Sequence, residues 1–191
     1  MKDNFYTFSS ERSPILQSHE LQKYFRVCLG KASNEIIICS AFIKLGGIKW
    51  FEKHLLNKKI KCRVISKWEG IDLLKRVSDL EVYNFCKERG WSFELIENLH
   101  AKFYLMDNNN LINGSANLTS AGLGLLPISN KEFGFYIRTT NEDLKNINTF
   151  LEDSTEVTEE IYNTINEASM KFLAYSLSLS PPLPLSLSIY I

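Results

Sequence analysis

The run Glu35-Ile-Ile-Ile-Cys-Ser-Ala-Phe-Ile43 limits the fold of this chain more than any other segment. It is apolar, rich in β-branched residues and does not alternate with polar side chains. A strand of that kind has no face for water and must be covered on both sides. The flanking sequence supplies cover. Residues 18 to 32 place Leu21, Tyr24, Phe25, Cys28 and Leu29 at helical spacing, with Ser18 in position to cap. Gly46 and Gly47 break the run, and a second helix is expected through Ile48, Phe51 and Leu55.

Further along, Ile60 to Ser66 reads as a second buried strand. Ser78-Asp-Leu-Glu81 is a capping-box sequence, and the helix it opens carries Val82, Phe85 and Cys86 towards a stop at Gly90. Trp91, Phe93 and Leu95 alternate with Ser92 and Glu94, as a half-buried strand does. His100 to Met106, Leu111 to Asn113 and Lys131 to Arg138 read as strands, with a turn at Asp107 to Asn110. Residues 141 to 174 read as mostly helical. Helices and strands alternate first and strands cluster later, so the expected class is α/β, a mixed sheet flanked by helices.

The 191 residues suit one domain, 45% of them hydrophobic and 23% charged, which excludes wholesale disorder. Lys plus Arg and Asp plus Glu both number 22, so no global basic field grips a polyanion. Charge is segregated nonetheless. Lys44 to Lys67 holds eight basic residues against Glu52 alone, and Glu142 to Glu167 holds eight acidic residues against Lys145 alone. Two readings stand: two solvated helix faces, or a basic surface for nucleic acid built on Lys58, Lys59, Lys61, Arg63 and Lys67. Cys28, Cys39, Cys62 and Cys86 fall in no zinc-binding or redox spacing, and buried thiols in a reducing compartment are expected. No signal peptide and no apolar stretch long enough to span a membrane are visible, so a cytoplasmic location is expected. A catalytic domain is expected over residues 1–175. Residues 176–191, rich in Ser, Leu and Pro, read as a linker or disordered tail.

One constellation carries chemistry. His100-Ala-Lys102 is followed by Asp107 and then by Gly114-Ser115-Ala116-Asn117. Average residue usage gives these six fixed positions a chance match of roughly 10⁻⁸ per starting point. On strands, residues two apart face one side, so His100 and Lys102 project together, as do Ser115 and Asn117. An imidazole, an ammonium, a hydroxyl and an amide would then gather at one place, with Gly114 allowing close backbone approach.

This pattern resembles the phospholipase D superfamily signature H-x-K-x4-D-x6-G-S-x-N in every fixed position and both gaps. Asn130-Lys131-Glu132 resembles the trailing N-x-E element, and the likeness extends from about Ser18 to Arg138. The resemblance implies a phospholipase D-like α-β-α sandwich and a metal-independent attack on a phosphodiester, with no cofactor. His100 would form a covalent phosphohistidine. Lys102 and Asn117 would hold the non-bridging oxygens, Ser115 would add a hydrogen bond, and Glu132 would orient His100. Asp107, at a strand end, looks more structural than chemical.

Neither His19 nor His54 has a lysine two residues on, so the chain holds one copy of a motif whose chemistry uses two histidines. Single-motif members resemble bacterial endonucleases and restriction-type nuclease domains that share a site across a homodimer. The first expectation is therefore a homodimeric nuclease acting on DNA, with RNA second. The alternatives are a phospholipase D-type lipid hydrolase and a non-enzymatic polyanion-binding module. Loss of a C-terminal DNA-recognition domain is a further reading of the uncharged tail.

Overall fold

The computed structural model describes residues 15–179. The elements in chain order are β1 (Ile15–Gln17), α1 (Ser18–Lys31), β2 (Glu35–Ser40), α2 (Leu45–Lys53), β3 (Lys61–Ser66), α3 (Gly70–Leu74), α4 (Glu81–Lys87), β4 (Ser92–Leu95), β5 (Lys102–Met106), β6 (Asn110–Gly114), β7 (Phe133–Arg138), α5 (Asn141–Phe150), β8 (Thr155–Glu156) and α6 (Glu159–Leu179). The strands form one sheet in the order β1-β7-β6-β5-β2-β3-β4-β8. β2, β3 and β4 run parallel and the other pairings are antiparallel.

The apolar run sits where its composition requires, in the middle of the sheet. Ile36 and Ile38 enter the larger core with Phe25 of α1, Phe51 of α2 and Val82 of α4. Ile37 and Cys39, on the opposite face, enter a second core with Phe103, Leu105 and Leu111, against which Leu144 and Ile147 of α5 pack. Both faces are dry, as a strand without polar alternation needs. The four cysteines are free and buried. Burial pushes the thiols of Cys28, Cys39 and Cys86 up to about 12.

Several local expectations are corrected. Ser18 does not cap α1: Gln17 occupies the cap position, and its N–H donates to Oε2 of Glu20 at 3.0 Å. Ser78 does not open α4, which starts at Glu81 after Leu80 in helical conformation. The Ser78 hydroxyl is buried without a partner. Its neighbour Asp79 instead accepts the Leu45 N–H at 2.9 Å and so caps α2. β2 stops at Ser40, three residues short of Ile43, and Gly46 and Gly47 lie inside the first turns of α2 rather than before it. α6, the last described element, continues to Leu179. The rest of the tail lies outside the described residues, among which no helix is long and apolar enough to cross a membrane.

Candidate active site

β2 and β6 end, and β5 begins, at the same edge of the sheet. Ser40 closes β2 and is the register partner of Lys102, which opens β5. Gly114 closes β6 opposite Gly134 of β7. A Cβ on Gly114 would lie 2.4 Å from the Phe133 carbonyl oxygen, so only glycine allows this approach. The motif residues gather along this edge, on the loops more than on the strands. His100 precedes β5, and Ser115 and Asn117 follow β6. The expected in-strand pairing of His100 with Lys102, and of Ser115 with Asn117, is replaced by loops that the strand ends aim.

His100 is exposed, and among the described residues its ring makes no hydrogen bond. Its carbonyl accepts from Nζ of Lys102 at 2.6 Å. Lys102 is 9% exposed. Burial lowers its pKa below the ordinary lysine value; the Glu132 charge opposes that shift and the Lys67 charge adds to it. Three N–H bonds are available to an ammonium, so two remain for a ligand.

Asn117 is held through its oxygen. Oδ1 accepts the Phe42 N–H at 3.1 Å and faces the Ser40 hydroxyl at 3.3 Å. Ser40 is fully buried and works as a hub. Its Oγ donates to the Phe42 carbonyl at 2.9 Å and accepts the Leu118 N–H at 3.0 Å. Tyr104, also buried, donates from its hydroxyl to the Ala116 carbonyl at 2.8 Å. α2 closes the loop from behind: a Cβ on Gly47 would sit 2.2 Å from the Leu118 carbonyl oxygen.

Glu132 is 8% exposed. Its carboxylate accepts from the Ser115 hydroxyl and, at 3.0 Å, from the Asn130 amide. The Glu132 N–H donates to Ser18 Oγ at 2.9 Å, and Ser18 in turn donates to the Asn130 carbonyl at 3.3 Å. Within one chain Glu132 is thus bound to Ser115 and Asn130 rather than to His100. The Ser115 hydroxyl proton goes to Glu132 and not towards an incoming ligand. Asp107 is remote from these groups. Its carboxylate accepts the N–H groups of Ser33, Asn34 and Glu35 at 2.9, 2.8 and 3.1 Å. Burial acts to raise its pKa, but these bonds outweigh that and hold it below the usual carboxylate value.

The basic segment divides. Lys61 pairs with Glu35, at the Asp107 end of the sheet, so it stands about 17 Å of strand from the Ser40 edge where His100, Lys102 and Asn117 gather, and Lys58 and Lys59 precede it at that far end. Arg63 forms a two-pronged bond to Glu94, at 2.8 and 2.7 Å, and its charge is matched there. Lys67 alone follows β3 at the motif's edge, where it pairs with Glu69 at 2.8 Å and Asp72 at 3.1 Å. Ser18, Ser40, Phe42 and Tyr104 were not foreseen as parts of the site, whereas Lys67 was expected only in a nucleic-acid-binding surface. The one available signal was Ser40, a polar residue embedded in an apolar strand.

The family described as cardiolipin synthase, PLD-like domain matches residues 25–169. None of the curated proteins matches the sequence. Among solved structures, NucT from Helicobacter pylori superposes with a TM-score of 0.61 at 15% identity, covering 76% of this chain and 99% of that one. Nuc from Salmonella typhimurium, a phospholipase D family member, does so with 0.58 at 13% identity, over 78% and 100%. Phosphatidylserine synthase of Haemophilus influenzae Rd KW20 gives 0.63 at 13% identity, over 87% of this chain and 45% of its own. The chain belongs to the phospholipase D-like family and has its phosphodiesterase fold.

Proposed function

Starting from that membership, we propose that the protein is a metal-independent phosphodiesterase working as a homodimeric nuclease, with DNA the first substrate and RNA the second. The observation that carries this reading is the fastening of Asn117 and Lys102 on either side of Ser40, with the His100 ring exposed beside them. Such an edge suits a tetrahedral phosphate. The Lys102 ammonium and the Asn117 amide nitrogen neutralise the non-bridging oxygens as charge grows on them. A neutral His100 ring nitrogen attacks phosphorus, and the bond to the leaving oxygen breaks. A second, protonated imidazole gives that oxygen its proton. Water then attacks the phosphohistidine, deprotonated by the same imidazole, and frees His100. The chain has a single histidine in the motif, so the second imidazole is the partner's His100.

A lipid hydrolase is the second reading, favoured by the family's cardiolipin synthase description and by the phosphatidylserine synthase likeness. Purified protein incubated with duplex DNA, single-stranded RNA and phospholipid vesicles in excess EDTA separates the two. Cleavage of nucleic acid that survives EDTA and vanishes in His100→Ala supports the nuclease. Turnover of vesicles alone supports the lipase. Binding of polyanions without any turnover means a non-enzymatic module, and activity restored only by magnesium removes the mechanism.

A further inference from the structure

Among the described residues, one face of the sheet is left bare beside the site. α5 covers Leu105, Leu111 and Ile137, but none of the described helices packs on the β1–β7 edge of the same face. There Ile15, Phe133 and Phe135 are 49, 49 and 40% exposed. Phe133 and Phe135 alternate with Gly134 and Tyr136, which are buried on the α1 side, so both rings stand on the opposite face. Ile15 is the register partner of Phe135, Phe135 of Asn113, and Asn113 of Phe103. One row across four strands therefore runs from the bare edge to Phe103. Phe150 of α5, itself 45% exposed, meets Phe103 edge-on at 6.1 Å between ring centroids. The Phe133 and Phe135 rings meet edge-on at 5.6 Å.

The patch begins at the site itself. Phe133 and Ser115 are clasped backbone to backbone, with the Ser115 N–H on the Phe133 carbonyl at 2.9 Å. The Phe133 N–H also donates to Ser115 Oγ at 3.1 Å. A second property singles out the occupant. A two-fold contact lays a surface on its own copy, so any charge on it meets itself. Ile15, Gln17, Asn113, Phe133 and Phe135 carry none. The site next to the patch is also one histidine short, and His54 does not fill the gap: its Nδ1 is 2.8 Å from the Trp50 carbonyl and its ring packs on Trp50.

We propose that the Ile15–Phe133–Phe135 face is the contact with a second copy of this chain, which brings the partner's catalytic edge against this one. The inference rests on the shared-site reading above. A stable contact buries about 800 Å² per partner, so these side chains form its centre and not its whole extent.

Sedimentation velocity over a range of protein concentrations tests it, with Phe135→Glu and Ile15→Lys as independent variants and circular dichroism to verify folding. Both positions are exposed in the monomer, so the fold tolerates the changes. The wild type is expected to be a dimer. Each variant should dissociate roughly 30-fold more readily, as loss of a central apolar anchor does. Its hydrolysis of a small chromogenic phosphodiester should fall with the dimer fraction and recover at high protein concentration. If the wild type is a dimer and both folded variants dimerise as tightly, this face is the wrong one. Shared-site catalysis then still stands or falls by His100 subunit mixing. Cover by the chain's own residues 1–14 would give that same result. A wild type that hydrolyses the phosphodiester as a monomer overturns both the face and the shared site.

Discussion

The backbone N–H of Phe42 donates to Oδ1 of Asn117 at 3.1 Å, joining residues 75 positions apart in the chain. This bond decides which way the Asn117 amide points. A backbone N–H bonds only to an acceptor, so the oxygen is turned inward and the NH₂ group is left for a ligand. On the proposed mechanism this fixes a charge-stabilising donor in place before substrate arrives, as transition-state stabilisation requires.

Ser40 maintains that arrangement, and its loss should separate positioning from binding. Ser40→Ala leaves the Leu118 N–H without its acceptor in a buried place, at a cost of about 1–3 kcal/mol of stability. The Asn117 loop loses one of its ties, so kcat should drop by roughly 10- to 100-fold with KM nearly unchanged. Steady-state kinetics and thermal melts of the variant check this. A stable variant with normal kcat would reduce Ser40 to a packing residue.

Asp107 should behave in the opposite way. It binds three backbone N–H groups of the α1–β2 connection and touches no other motif residue. Asp107→Ala should cost roughly 1–3 kcal/mol of stability while leaving kcat intact at temperatures where the variant is folded. The pH dependence follows from its lowered pKa. A carboxylate with a depressed folded value contributes its full stability above the unfolded value near about 4, and that contribution is lost as pH falls through the folded value. The stability gap between wild type and variant should therefore close in acid below about pH 4. Urea melts at pH 7 and pH 3 provide the measurement.

These two residues show what the sequence could and could not disclose. The spacing of His100, Lys102, Asp107, Gly114, Ser115 and Asn117 is written along the chain, and so is the two-faced burial of β2. The partners of Ser18 and Asp107 are not. Ser18 stands at the start of a helix and looks like a cap, yet its hydroxyl bonds to Asn130 and Glu132, more than a hundred residues away. Local preference yields there to a long-range partner, while Gln17 and Glu20 cap the helix instead. The charge of Arg63 appears free in a basic run and is matched by Glu94 on the neighbouring strand. Strand ends were also overread. Side-chain alternation says where a strand passes, but pairing stops at Lys102 and Gly114, and the reactive groups leave the ladder there.

Lys102 should set the alkaline limit of activity. Burial holds its pKa below that of a free lysine, so on raising the pH its ammonium is lost earlier than an exposed lysine's near about 10.4. In the proposed mechanism the charged form stabilises the phosphoryl oxygens, so kcat should decline on the basic side below that pH. Lys102→Met should lower kcat by roughly 10²- to 10³-fold, as removal of one such donor does. Lys102→Arg, which stays charged, should shift the basic limb upward whatever its residual rate. A wild-type profile flat to pH 11 would deny Lys102 this part.

His100 supplies the strongest test of the mechanism, because one chain offers a single motif histidine for two roles. Nucleophile and acid act on opposite sides of the scissile bond, and one imidazole cannot do both in the same step. In a two-fold dimer the two copies of His100 divide the work, so a single defective chain disables the pair. Mixing equal amounts of wild type and His100→Ala, with full subunit exchange, should leave about a quarter of the dimers intact. Activity should then follow the square of the wild-type fraction. A linear fall would place the acid in the same chain. The exposed His19, next to Ser18 and hence to the Glu132 network, would be the residue to replace next. His19→Ala should leave the rate unchanged if the second imidazole comes from the partner and should abolish it if His19 is the acid.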